Sequence, residues 1–167
     1  DLDMFLRDTN GVSLAYGDDY GSTDDPRITY TATYTGYHYL DVADYYLTYT
    51  GEYTVEASVV DDFSSNIYTS GSVSIGSSTS GNIETAGDSD WFSVYLTSGT
   101  TYQFDATESD YYLDLDMYLR DTNGVSLAYG DDYGSTDDPR ITYTATYTVY
   151  HYLDIADYWL TSTGSYV

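Results

Sequence analysis

An all-β chain built as antiparallel β-sandwich modules is predicted by three features of this sequence: its residue stock, the spacing of its turns, and one long internal repeat. Tyr occurs 24 times and Thr is abundant, and both suit the pleated, half-buried surface of a strand. Asp, Asn, Gly and Ser favour turns. Lys is absent and Glu stands only at positions 52, 56, 84 and 108, so strong helix formers are scarce. Short strand-like segments recur with turn signals every ~8–12 residues, the pattern of a sandwich or barrel. Residues 1–54 recur at 114–167 with a fixed offset of 113. Seven positions differ: Phe5/Tyr118, Gly36/Val149, Val42/Ile155, Tyr46/Trp159, Tyr49/Ser162, Glu52/Ser165 and Thr54/Val167. A period of that length is too long for a solenoid repeat and suits one sandwich domain per period.

The chain therefore holds about one and a half periods. Residues 61–167 read as one nearly complete module, and residues 1–60 as the back half of another. The join at Val59, Val60, Asp61 and Asp62 carries no Pro-rich or Gly-rich linker, which predicts closely set modules. Two short strands are expected at 72–75 and 81–84. A longer one at 91–96 ends at the turn Thr97-Ser98-Gly99. In 101–106, Tyr102, Phe104 and Ala106 alternate onto one face. Leu115, Met117 and Leu119 alternate likewise, and Asp121-Thr122-Asn123-Gly124 reads as a hairpin turn in which Asn-Gly supplies positive φ. The return strand is 125–128. Ile141, Tyr143, Ala145 and Tyr147 line the next strand, followed by strands at 150–155 and 158–167. The expected core is Phe92, Val94, Phe104, Met117, Leu119, Leu127, Ile141 and Leu153. The half module lacks counterparts of 72–107, so its stripe of Ile28, Tyr30, Ala32 and Tyr34 must meet another segment or stay unfolded.

Charge narrows the function. Four Arg stand against 28 acids, for a formal net charge of −24. Phosphate recognition needs clustered Lys and Arg, so nucleic acid is excluded as a partner. Docking on an anionic membrane is disfavoured for the same reason. No apolar run approaches the ~20 residues of a membrane span, and no signal-peptide pattern is present. The chain does not begin with Met and reads as a processed product or an excerpt. Cys is absent, which removes disulfides and thiolate metal sites.

The run Gly81-Asn82-Ile83-Glu84, then Gly87-Asp88-Ser89-Asp90-Trp91-Phe92, resembles the opening of bacterial pre-peptidase C-terminal (PPC) domains. The continuation is similar too: Thr97-Ser98-Gly99-Thr100-Thr101-Tyr102, then Leu115-Asp116-Met117-Tyr118-Leu119. Gly124-Val125-Ser126-Leu127-Ala128 with Asp131-Asp132 resembles that family's central hairpin and acidic loop. Residues 140–145 and 162–166 resemble its last strands. The resemblance covers 72–167, and 1–57 by repetition. It implies a jelly-roll-like sandwich, non-catalytic, often in tandem, carried by secreted bacterial and archaeal proteins beside proteases. Similar modules in clostridial collagenases bind calcium and attach the enzyme to collagen. The Tyr content here is higher than the resemblance leads one to expect.

Nucleophilic catalysis has little support. His38 and His151 occupy one repeat position in a Tyr-His-Tyr strand, expected to be partly exposed, and no Gly-x-Ser-x-Gly elbow occurs. Hard cations want several oxygen ligands on loops, so calcium is the candidate ion. Asp131, Asp132, Asp137 and Asp138 crowd one loop, repeated as Asp18, Asp19, Asp24 and Asp25; the alternative is a solvated acidic turn. A second set pairs Asp61 and Asp62 with Asp88 and Asp90, as the resemblance to calcium-binding members implies, and an ion there would pin the joint. The alternative is that Asp88 and Asp90 only shape a turn. The Tyr stripes serve as core and cross-strand ladders or as a sugar-stacking platform for glycans. The expected role is structural: a module of an extracellular tandem-repeat protein of a prokaryote, a cell-surface fibre, filament or adhesin stalk, whose partners are adjacent modules or copies of itself. The other reading is a calcium-dependent module anchoring a secreted hydrolase to polysaccharide or collagen.

Overall fold

The computed structural model describes residues 1–109 and 112–167. Among them there is no helix, and so none long and apolar enough to cross a membrane. The chain packs as two compact units, Asp1–Glu56 and Ala57–Val167.

Unit 1 holds β1 (Leu2–Arg7), β2 (Ser13–Gly17), β3 (Asp19–Tyr20), β4 (Thr23–Pro26) and β5 (Tyr39–Asp44). Three strands form an antiparallel sheet in the order β2-β1-β5, and β3 pairs with β4 as a short hairpin.

Unit 2 holds β6 (Gly71–Ser72), β7 (Gly81–Ile83), β8 (Ser89–Leu96), β9 (Thr101–Asp105), β10 (Leu115–Arg120), β11 (Ser126–Gly130), β12 (Asp132–Tyr133), β13 (Thr136–Thr144), β14 (Val149–Asp157) and β15 (Gly164–Tyr166). One layer is the sheet β11-β10-β14-β8-β6. The other comprises β12-β13-β9 and the pair β15-β7. All pairings are antiparallel except β6 with β8, where Gly71 and Ser72 run parallel to Phe92 and Ser93. Alternation on β8 turns Asp90, Phe92, Val94 and Leu96 inward. They meet Leu115, Met117 and Leu119 of β10, Leu153 and Ile155 of β14, and Phe104, Ile141 and Tyr166 from the facing layer. This is the expected sandwich, and seven of the eight expected core residues are buried.

Leu127 is the exception, at 42% exposed. A register shift between Leu119 and Arg120 sets Ala128 opposite Leu119, so Leu127 points outward on an edge strand. The hairpin before it also differs from expectation. Only Gly124 has positive φ, at 80°, and Asp121 holds the loop by accepting from the Asn123 and Val125 amides at 2.8 and 2.9 Å. That is a glycine bulge turn rather than a two-residue hairpin turn.

The repeat provides an internal comparison. Strands β1, β2 and β3 reappear as β10, β11 and β12 with the same registers. The sequence TDDPRITYT forms all nine residues of β13, but in unit 1 only its first four form β4. The five residues lost, 27–31, correspond to Arg140–Thr144, which pair with β9. Strand β14 starts at Val149, while β5 starts three positions later in the repeat. Those three positions in unit 2 pair with β8 alone, because β10 covers only Tyr152 onward. Residues 51–53 are not a strand, though their counterparts form β15 against β7. Each element that is shortened or missing in unit 1 is one whose partner lies in 71–105. A strand ends where its ladder ends, because unpaired backbone groups gain nothing from extension.

Candidate functional site

Among the described residues there are three groups of carboxylates whose oxygens lie within 4.8 Å of one another. The first is Asp61, Glu84, Asp88 and Asp90, all within unit 2. Asp90 is placed by β8: it takes the inward position one step before Phe92, at the end of the sheet, and is 0% exposed. Its Oδ2 accepts a 2.5 Å hydrogen bond from the Tyr166 hydroxyl of β15. A β-carbon at Gly81 would strike that same hydroxyl, so glycine is what lets β7 and β15 close over Asp90. The other Asp90 oxygen, Oδ1, is buried without a hydrogen-bond partner, and so is Glu84 Oε2. Asp88 sits on the turn before β8 and accepts from the Glu84 amide at 3.3 Å.

Burial pushes the Asp90 carboxyl up to about 8, and the charges of Asp62, Asp88 and Glu84 add to this against the Tyr166 hydrogen bond. Glu84 is also raised, first by burial and then by its hydrogen bond with Asp88. No positive group offsets them. The chain has no Lys. Arg7, Arg120 and Arg140 are paired with Asp41, Asp154 and Asp105, and Arg27 lies over the Tyr20 ring. An all-oxygen, net-negative set with two orphaned buried oxygens fits a hard divalent cation. Asp61, Glu84, Asp88 and Asp90 would hold it, and the ion would supply the missing positive charge.

Asp61, Asp88 and Asp90 are thus brought together as the sequence suggested, and Glu84 replaces Asp62. Asp62 is exposed and outside that set of four, but its carboxyl is raised, first by burial and then by the charge of Asp61; its side chain interacts with Asp90, and its charge reaches Glu84. Glu84 stands in the Gly-Asn-Ile-Glu run, but nothing in that run alone brings it to Asp90.

The acidic loop separates differently from its expected quartet. Asp131 and Asp132 join Asp114, and in unit 1 Asp18 and Asp19 join Asp1. Asp137 and Asp138 stand on β13, where alternation points neighbours to opposite faces, and Asp138 accepts instead from the Glu108 amide at 3.2 Å. Asp24 and Asp25 are exposed on β4. Asp114 accepts from the Trp159 indole at 2.9 Å, and Tyr46 stands at that repeat position in unit 1. These two groups are more open than the first, and their acids are half-buried or exposed.

His151 is buried, with Nδ1 3.1 Å from the Val149 carbonyl, rather than partly exposed as expected; it stands opposite Val94 in the β14-β8 register. Two of the exposed aromatic pairs meet at steep angles. Tyr95 and Tyr150 cross at 70°, and Tyr158 and Trp159 at 86°. Tyr95 and Tyr150 are directly opposed in the β8-β14 register, so they form a cross-strand ladder rather than a flat stacking platform.

No family model matches the chain, and no curated protein matches it. Among solved structures, it is similar to the pre-peptidase C-terminal domain of collagenase from Bacillus anthracis. That match has 18% identity and a TM-score of 0.46, covering 57% of this chain and 89% of the other.

Proposed function

We propose that the chain is a non-catalytic structural module of an extracellular tandem-repeat protein, a fibre, filament or adhesin stalk of a prokaryotic cell surface. One observation carries this reading. Nearly identical sequence is a complete half-sandwich in unit 2 and an open-sided one in unit 1, differing in the presence of partner strands. A stretch of 54 residues repeated at a fixed offset of 113, with its strand registers kept, supports modules used in series. Electron microscopy of the source material tests it. A compact 113-residue module spans about 35–45 Å, so links repeating at that spacing support the reading. Isolated globular particles of this chain's mass contradict it.

A second reading is favoured by the Asp90 cluster: a calcium-dependent accessory module that anchors a secreted hydrolase to polysaccharide or collagen. It rests on the buried, unpartnered carboxylate oxygens and the absence of a compensating cation. Calcium-dependent retention on polysaccharide or collagen, lost in Asp90→Asn, separates it from the first.

A further inference from the structure

We infer that the open side of unit 1 is an acceptor for the 61–113 segment of another repeat, which docks there as β7, β8 and β9 dock on unit 2. This goes beyond the tandem reading, because it assigns a specific interface and its occupant.

The occupant is identified by what covers the duplicate face. In unit 2, β9 pairs with Arg140–Thr144 and β8 pairs along all but the last residue of β14. Four side-chain contacts reinforce those ladders. Arg140 forms an ion pair with Asp105. The Thr101 and Thr144 hydroxyls meet at 2.8 Å. Thr148 accepts from the Ser98 amide at 2.9 Å. Tyr166 donates to Asp90. Unit 1 carries the same four receiving groups as Arg27, Thr31, Thr35 and Tyr53. None of the seven repeat differences falls on them.

Their state in unit 1 shows the missing partner. Among the described residues Arg27 is the arginine without an acid partner, and its guanidinium rests 4.0 Å from the Tyr20 ring centroid. Arg140 lies over Tyr133 at the same distance and binds Asp105 as well. Arg27 is therefore already posed for the acid that a docked segment would bring. Tyr53 is 58% exposed where Tyr166 is 1% exposed, and Leu40 is 41% exposed where Leu153 is 7% exposed. An open strand edge beside uncovered apolar side chains is the physical basis of strand addition. The copy of β7, β8 and β9 in unit 2 is already engaged on β15, β14 and β13, so the occupant of unit 1 is another copy of that segment.

The test uses the full chain extended at its start by a second copy of residues 61–113, with hydrogen exchange as the readout. The expected result is that amides in 27–31 and 36–38 slow by about tenfold or more, toward the rates of 140–144 and 149–151. A control extension carries Asp at the positions equivalent to Phe92 and Val94 and should leave them fast. Unchanged exchange with the intact extension overturns the inference, and so does equal protection by both extensions. Protection in the unextended chain that rises with concentration and with dimer mass also overturns it, because two open edges would then be pairing with each other. Closure by the intact extension, together with isolated monomers in the source material, would keep this interface and remove the fibre reading.

Discussion

Replacing one leucine by alanine in each copy of the repeat separates the effect of sequence from the effect of partners. Leu153 lies on β14 among β8, β10 and the facing layer and is 7% exposed. Removing such a side chain from a packed core costs about 2–5 kcal/mol, through lost transfer energy and the cavity left behind. Taking about 3 kcal/mol and roughly 4 °C per kcal/mol for a domain of this size, Leu153→Ala should lower the melting point of unit 2 by about 12 °C. Leu40 occupies the same repeat position, with the same neighbours in sequence, and is 41% exposed. It has little cavity to leave, so Leu40→Ala should cost less than about 1 kcal/mol. Both tryptophans, Trp91 and Trp159, lie in unit 2, so urea unfolding followed by their fluorescence reports Leu153→Ala without interference from unit 1. Hydrogen exchange of the β1 and β5 amides reports Leu40→Ala. Equal losses in the two units would refute the claim that absent partner strands, and not the repeat sequence, leave unit 1 uncovered.

Three further outcomes follow from the same geometry. Arg120→Ala should destabilise unit 2 by about 3–5 kcal/mol, because it strands Asp154, which is buried beneath a 2.6 Å ion pair; Arg7→Ala, which breaks the exposed 2.8 Å pair with Asp41, should cost less than about 1 kcal/mol in urea titrations. Calcium at about 100 times its dissociation constant should stabilise unit 2 by about 2.7 kcal/mol in scanning calorimetry, with magnesium at equal ionic strength giving less; equal effects would reduce the cluster to charge screening. Asp90→Asn should abolish the difference between the two ions, while Asp137→Asn, outside every cluster, should preserve it.

The strands were legible because alternation is explicit in segments such as Leu115, Met117 and Leu119, and because turns are marked by Ser-Gly and Asn-Gly. Leu127 was misplaced because a bulge at Arg120 changes which residues face inward, and a bulge leaves no mark in hydrophobic pattern alone. The Tyr ladders read as strands, but whether Tyr95 and Tyr150 meet edge-on or flat depends on β8 and β14 being neighbours, a pairing of distant segments. The acidic loop misled for a related reason. Nearness in sequence put Asp131, Asp132, Asp137 and Asp138 together, whereas the β12-β13 hairpin turns Asp138 toward Glu108 and brings in Asp114 from across the fold. Glu84 became visible as a partner of Asp90 only once β7 lay beside the start of β8. The repeat was the clearest feature of the sequence, yet its consequence was not: five residues of identical sequence are strand in one copy and not in the other, which no local rule distinguishes.

The most direct measurement of that dependence on partners is residue-resolved hydrogen exchange on the chain as it stands, comparing identical stretches in one sample. Amides in 140–144 that pair with β9, and those in 149–151 that pair with β8, should be protected. Their repeats in 27–31 and 36–38 should exchange at close to unstructured rates, while 2–7 and 115–120, paired in both units, should both be protected. Matching protection in 27–31 and 140–144 would contradict the account, since unit 1 would then be closed without the strands on which its closure is argued to depend.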